Sequence, residues 1–220
     1  MDYFHHVRSE IRPLIAPLPH RALDVGCGAG LTLKWLKSFS PNTETVGLEV
    51  NSALGEELSR NVDVAVIKSA EDDWDDLGTF DLIMCLDVLE HLTRPEEVLR
   101  RLVGMLREGG SVIVSLPNVS HYSVLLPLLL KRQFTYQDSG ILDRTHMRLF
   151  VESTAVGLLN DAGLVVDKGL VNGPQGPKSH FADRISGGIF RHYLTKQYIM
   201  RGHKSGAPQG PVSWQPAQLQ

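Results

Sequence analysis

The stretch Ala22-Leu23-Asp24-Val25-Gly26-Cys27-Gly28-Ala29-Gly30 constrains the fold more than any other part of this chain. An apolar strand runs into a turn with glycine at every second position, and a helical pattern starts at once with Leu31. Glycine admits positive φ and lets a ligand come close to the backbone. A nucleotide-like ligand is held in this way at the end of a strand, against a helix N-terminus. Glu49, nineteen residues past Gly30, ends a second apolar strand, where its carboxylate can accept hydrogen bonds from both hydroxyls of a ribose. The glycines fall at 26, 28 and 30, and Leu31 stands where the dinucleotide fingerprint has its third glycine. The spacing therefore disfavours a nicotinamide-dependent oxidoreductase.

Strands and helices alternate along the remainder, which predicts an open, mostly parallel sheet covered on both faces. The 220 residues suffice for one such domain. Strands are expected at 21–25, 45–49, 62–68, 80–86, 111–116, 164–171 and 194–201. The run 80–86 is continuously apolar after Asp81, as a central strand buried on both faces should be. Helices are expected at 3–15, from Leu31 with Trp35 and Phe39 facing the sheet, at 52–60, from Pro95, at 152–162 and at 180–192. The helix from Pro95 has a capping-box pattern in Thr93 and Glu96, a stripe of Val98, Leu99, Leu102 and Leu106, and a stop at Gly109-Gly110.

Bulk properties exclude several partners. A net charge of −3 leaves no electrostatic footprint for nucleic acid. The longest apolar run, 124–130, contains Pro127 and is too short to span a bilayer, so stable membrane insertion is not expected. It reads as a segment buried against the domain, the other reading being a lid helix that touches a lipid carrier or membrane. Cys27 and Cys85, the two cysteines, suit neither a disulfide framework nor zinc. No spacing of histidines and carboxylates marks a metal site, and none is expected. Residues 1–12 carry charges and two histidines where a signal peptide needs an apolar core, so a cytoplasmic location is expected.

The segment Phe80-Asp81-Leu82-Ile83-Met84-Cys85-Leu86-Asp87-Val88-Leu89-Glu90-His91-Leu92 resembles the FD-(apolar)-VLEHL stretch of class I S-adenosylmethionine-dependent methyltransferases. Leu23-Asp24 with the glycine loop is similar to motif I of that family, and Gly109-Gly110-Ser111 to its glycine-led fifth strand. Ser115-Leu116-Pro117-Asn118-Val119-Ser120-His121 and Gly140-Ile141-Leu142-Asp143-Arg144-Thr145-His146-Met147-Arg148-Leu149-Phe150 resemble a bacterial subgroup with SxPNxxH and GLLDRTHxRFF motifs, associated with glycan and sugar modification.

The resemblance implies a single Rossmann-like α/β domain with a seven-stranded, mostly parallel sheet, its final strand antiparallel. It implies an N-terminal helix over the cofactor pocket (1–20), a methyltransferase domain (21–203) with an insertion (117–149), and a tail (204–220) whose composition predicts disorder. S-adenosylmethionine would lie against the backbone of Gly26, Cys27, Gly28 and Gly30, with Asp24 ordering the loop or reaching the ammonium group and Glu49 on the ribose. Ser69, Ala70 and Glu71 would sit beside the adenine, and Leu86 and Asp87 would line the methionine side. Relatives carry Gly-Asp where this chain has Lys68-Ser69, so a neutral hydroxyl replaces a charged adenine acceptor. Tyr3 and Arg8 are further cofactor candidates.

Methyl transfer needs an acceptor atom in line with the activated methyl group, and a base when that atom is a hydroxyl oxygen. His146 is the first candidate base, with Asp143 orienting it, and His91 is the second. Arg144 and Arg148 could hold a substrate phosphate or carboxylate, with Asn118, His121 and Tyr122 as further substrate candidates. The expected reaction is O-methylation of a sugar, glycan precursor or other small hydroxylated metabolite, by a monomer or homodimer. The alternatives are an amine, carboxylate or quinone-type acceptor, or a non-catalytic protein that binds the cofactor.

Overall fold

The computed structural model describes residues 3–74, 77–172, 189–204 and 212–217. Eight strands form one sheet: β1 (Arg21–Val25), β2 (Glu44–Glu49), β3 (Val64–Ile67), β4 (Phe80–Leu86), β5 (Leu106–Pro117), β6 (Leu164–Asn172), β7 (Gln197–Lys204) and β8 (Ser213–Pro216). Their order is β3-β2-β1-β4-β5-β7-β6-β8. β7 runs antiparallel to both β5 and β6, and the other pairings are parallel. The chain winds outward from β1 to β3, then returns to β4 beside β1 and winds the other way. The crevice at that reversal lies beyond the carboxyl ends of β1 and β4, where ligands bind in such sheets.

Alternation of side chains along the central strands builds two cores. Ile83, Cys85, Val112 and Val114 point to one face and pack with α3 (Pro95–Gly104) and α5 (Glu152–Asp161) through Leu99, Leu102, Ala155 and Leu159. Leu82, Met84 and Ile113 point to the other, against Leu33 and Leu36 of α1 (Leu31–Phe39), Leu58 of α2 (Gly55–Asn61) and the N-terminal residues Ile11 and Leu14. This double burial explains why β4 and the end of β5 read as unbroken apolar runs.

Several expectations are corrected. The N-terminal segment is two 3-10 turns, Tyr3–His5 and Ser9–Leu14, rather than one α-helix, with Pro13 inside the second. The buried face of α1 is Thr32, Leu33 and Leu36, while Trp35 and Phe39 are partly buried and meet edge to face at its margin. No capping box starts α3: the Thr93 hydroxyl donates to Glu71 instead, at 2.5 Å. Gly109-Gly110 lies inside β5, past the end of α3 at Gly104, where the β4–β5 register shifts.

The sheet has eight strands rather than seven. β8 falls in the segment whose composition predicts disorder, and it pairs in parallel with β6, Trp214 lying opposite Gly169. Its Trp214 ring packs on Tyr198, and the indole N–H donates to Glu152. Of the expected helix 180–192, residues 180–188 lie outside the described residues, and α6 spans Ile189–Leu194.

The insertion also departs from expectation. Residues 124–130 lie in α4 (Tyr122–Lys131), where Val124 is buried but Leu126, Leu129 and Leu130 are 49%, 72% and 77% exposed. Phe134 and Tyr136, packed edge to face, extend this apolar surface. Among the described residues, no helix is long and apolar enough to cross a membrane.

Candidate functional site

The glycine loop leaves β1 and is fixed by its own backbone. The Gly26 and Cys27 amides donate to Leu48 O of β2, Ala29 N to Phe4 O, and Gly30 N to Cys27 O. Gly28 N donates to the Glu49 carboxylate at 2.8 Å. All five loop amides from Gly26 to Gly30 are therefore engaged within the protein. A pyrophosphate would find no free donors here, which is the physical counterpart of the missing third fingerprint glycine. Gly28 sits at φ +55, and a Cβ there would lie 2.7 Å from Phe4 O, so the N-terminal segment passes directly over the loop.

Three acids converge on this loop. Glu49 is 4% exposed, and its second oxygen accepts from Asn51 N at 2.9 Å. Asp24 is buried beneath the loop, and its carboxyl is pushed up to about 8 by burial first and by Glu49, against the pull of Arg8. Asp87 follows β4 with φ 59, a left-handed conformation uncommon for a residue with a side chain. It is held there by Arg8 at 2.5 Å, by the Ser115 hydroxyl at 2.8 Å and by the Gln197 amide. Arg8 also donates to Glu10 at 2.5 Å and to the Gln197 side-chain oxygen at 3.2 Å, so its guanidinium is engaged within the protein. Ser115 and Gln197 were not singled out by the sequence. Their contacts to Asp87 come from neighbouring strands: Ser115 opens the SxPNxxH stretch, whose resemblance says nothing of Asp87, and Gln197 carries no local pattern.

The remaining cofactor candidates divide. Leu86 ends β4 and lines the same crevice as Asp87. Ser69 and Glu71 form a turn, in which Glu71 N donates to the Ser69 hydroxyl and the Glu71 carboxylate accepts from Thr93 and Arg94 N. The Thr93 hydroxyl bond holds the Glu71 carboxyl below its usual range. Ala70 is buried beside them, its carbonyl engaged by Arg101. The Cys27 thiol is buried in the loop, and burial raises its pKa strongly, so it is no nucleophile. The Tyr3 side chain lies outside the described residues.

The insertion folds back onto the end of β4. The amides of Met147 and Arg148 both donate to Glu90 O, at 2.8 and 3.1 Å. This brings the His146 ring against the His91 ring, centroids 4.8 Å apart. The expected partnership of Asp143 with His146 does not form through side chains. Asp143 braces its own turn by accepting from Thr145 N and Thr145 Oγ1, at 2.8 and 2.6 Å. The His146 Nδ1 instead meets Ile141 O at 3.0 Å. A carbonyl only accepts, so Nδ1 carries the proton and Nε2 the lone pair. His91 Nδ1 meets Thr145 O at 3.2 Å, with the same consequence.

The substrate candidates are also revised. Asn118 is fully buried and saturated: its amide donates to His192 O and Thr195 O, and its oxygen accepts from Ser120 N and Ser120 Oγ. It is a brace, with nothing left for a substrate. His121 is buried as the N-cap of α4, where its Nδ1 accepts from Ser123 N, while the exposed Tyr122 ring stacks on it at 4.3 Å. Arg144 is paired with Asp138 at 2.8 Å, and Arg148 donates to Thr93 O at 2.8 Å.

An α/β sheet with a glycine loop and a buried acid at its switch point is the architecture of a nucleotide-binding class of protein. The comparisons narrow that class. A methyltransferase-domain family model matches residues 3–168, and the chain belongs to that family. A ubiquinone biosynthesis O-methyltransferase of Marinobacter nauticus is 32% identical over 50% of this chain and 49% of its own length. One from Rickettsia bellii is 26% identical over 65% and 64%. The chain thus spans about half to two-thirds of these curated relatives.

Solved structures share the fold. A SAM-dependent methyltransferase from Archaeoglobus fulgidus superposes with TM-score 0.63 at 17% identity, covering 88% of this chain and 91% of its own. Another from Thermotoga maritima, described as a possible histamine N-methyltransferase, gives 0.60 at 18%, covering 90% and 88%.

Proposed function

We propose that this chain is an S-adenosylmethionine-dependent methyltransferase acting on a hydroxyl oxygen of a small organic acceptor. The observation that carries the reading is that adjacent strands bring two groups to one carboxyl-end edge of the sheet: Asp24, Glu49 and the glycine loop from β1 and β2, and the loop after β4 bearing His91, against which His146 packs. S-adenosylmethionine supplies a methyl group activated by its positive sulfonium. Glu49 takes the ribose hydroxyls and Asp24 the ammonium group, while Leu86 and Asp87 line the methionine side. The N-terminal segment covers the bound cofactor through Phe4 and Arg8.

The acceptor oxygen attacks the methyl carbon as the C–S bond breaks, and its proton passes to an imidazole Nε2 of the His146–His91 pair. Positioning supplies most of the acceleration, ~7–11 kcal/mol, and the base about 10²–10⁴-fold more.

Two acceptor classes have specific support. The SxPNxxH and DRTHxR resemblance favours a sugar or glycan precursor. The exposed apolar face of α4, with Phe134 and Tyr136, and the named O-methyltransferase relatives favour a quinone-type phenol. Release of S-adenosylhomocysteine, followed with sugar nucleotides, catechols and small amines in parallel, tests the reading. Turnover only with amines would refute the O-methyl assignment. Cofactor binding with no turnover on any panel member would favour a non-catalytic cofactor-binding protein. The reading also expects a monomer or homodimer working in the cytoplasm.

A further inference from the structure

We propose that Glu90, His91 and His146 form a binding site for one divalent transition-metal ion, of the kind that imidazole nitrogen and carboxylate oxygen hold together. One ligand atom from each lies within 4.8 Å of the others. Ligands of zinc-like ions sit about 2.0–2.2 Å from the metal, so the cluster must contract by roughly an ångström. Rotation of two half-buried rings supplies that movement.

Three separate features point to a cation. Glu90 is 1% exposed, and its Oε2 is buried with no hydrogen-bond partner. Buried polar atoms are paired as a rule, so an orphaned oxygen on a carboxylate that clusters with two imidazoles calls for a cationic partner. Both histidines donate Nδ1–H to backbone carbonyls, Thr145 O and Ile141 O. That is the usual outer support of a ligating histidine, which fixes the tautomer and aims the Nε2 lone pair at the metal. Finally, the Met147 and Arg148 amides clamp the loop bearing His146 to the backbone of Glu90 itself. The backbone segments that bear the three ligands are thus tied together, and the rings need only turn to close on an ion.

The spacing hid this site, because two ligands are adjacent and the third lies beyond the insertion. Two imidazoles with one carboxylate favour zinc, manganese, iron(II) or cobalt(II) over magnesium or calcium. Three protein ligands leave coordination positions open toward the crevice. What the ion does there rests on the methyl-transfer reading: it would polarise the acceptor hydroxyl, whose proton leaves to solvent as the oxygen attacks. Binding of the ion itself does not depend on that reading.

The test uses the full chain without an affinity tag, stripped by chelator and titrated with cobalt(II), followed by its visible absorption, with zinc as competitor. About one ion per chain is expected, at micromolar affinity or tighter. His146→Ala and His91→Ala should each weaken it at least about tenfold, and Glu90→Gln likewise. Retained binding of S-adenosylhomocysteine shows that each variant is folded. If Glu90→Gln does not fold, the two histidine variants decide.

No cobalt spectrum at ~1 mM, or unchanged affinity in the histidine variants, overturns the site. Should the ion bind but chelator leave methyl transfer intact, the site stands and its role on the acceptor falls. The imidazoles then act directly as bases.

Discussion

Replacement of Glu49 separates the parts of the site most sharply, because its carboxylate is both a brace and a binding group. One oxygen accepts from Gly28 N at 2.8 Å and the other from Asn51 N at 2.9 Å, with the residue 4% exposed. From sequence, Glu49→Ala is expected to weaken cofactor binding while the fold survives. The burial changes that expectation. Alanine leaves two amides without their partner, each costing ~1–3 kcal/mol, partly offset by water entering the space. A net loss of ~2–4 kcal/mol follows, or a fall in Tm of about 5–12 °C for a domain of this size. Glu49→Gln keeps one acceptor and most of the shape, so it should cost about half as much.

Both variants lose charge-assisted bonds to the ribose, worth ~1.5–3 kcal/mol, or about 10- to 150-fold in affinity. Calorimetry with S-adenosylhomocysteine and thermal melts on the same samples give the two numbers. The decisive variant is Glu49→Gln, in which binding should fall further than stability. If its affinity matches the parent while Tm drops, Glu49 is only a loop brace, and the ribose contact is wrong.

Four further outcomes are expected. Folding raises the Asp24 carboxyl from 3.8 to about 8, so its contribution to stability is complete below the unfolded value and is lost as pH rises through about 8. Pairing with a cationic ammonium needs the carboxylate, so S-adenosylhomocysteine binding should release a proton near neutrality and strengthen with rising pH up to about 8, and Asp24→Asn should abolish both effects. Calorimetry in buffers of different ionisation heat measures this, and parent binding with no proton release would refute the Asp24 assignment. Gly28→Ala should displace the Phe4 carbonyl, since its Cβ would lie 2.7 Å away, and speed proteolysis of the N-terminal segment; an unchanged cleavage rate would count against that contact. Asn118→Ala should cost ~2–4 kcal/mol of stability in denaturant melts, through four lost buried bonds, and a KM change with stability intact would restore it as a substrate residue. His146→Ala should leave S-adenosylhomocysteine affinity nearly intact yet lower turnover by about 10²-fold or more, and normal turnover would remove His146 from the chemistry.

What was legible in the sequence was local. The glycine loop, the full extent of β4 and the acid at the end of β2 follow from patterns a few residues long. The polar cluster from Asp143 to Arg148 was legible as important but not as a network. Adjacency in sequence suggested that Asp143 serves His146, whereas the turn itself claims that carboxylate through Thr145. Asn118 misled for the same reason, since its saturation depends on carbonyls of residues 192 and 195. The apolar run 124–130 shows the converse: a pattern states that side chains are apolar, but whether they are covered depends on what the fold places beside them.

The charge pattern of the crevice ties these separate residues together. Asp24, Glu49, Asp87 and Glu90 cluster at the carboxyl ends of adjacent strands, and Arg8 is committed to Asp87 and Glu10. Burial is the first cause that raises Asp24 and Glu90, and each is raised further by a neighbouring acid, Glu49 and Asp87 respectively. Such crowding is costly in an empty protein, and arriving cations relieve it. On the loop side the proposed cation is the ammonium of the methyl donor, and on the insertion side it is the proposed metal ion against Glu90. Without a cation, Asp24 and Glu90 favour their neutral form. The two proposed cations give one account of why a fold whose glycine loop has no free amide for an anion nevertheless gathers so many acids around one crevice.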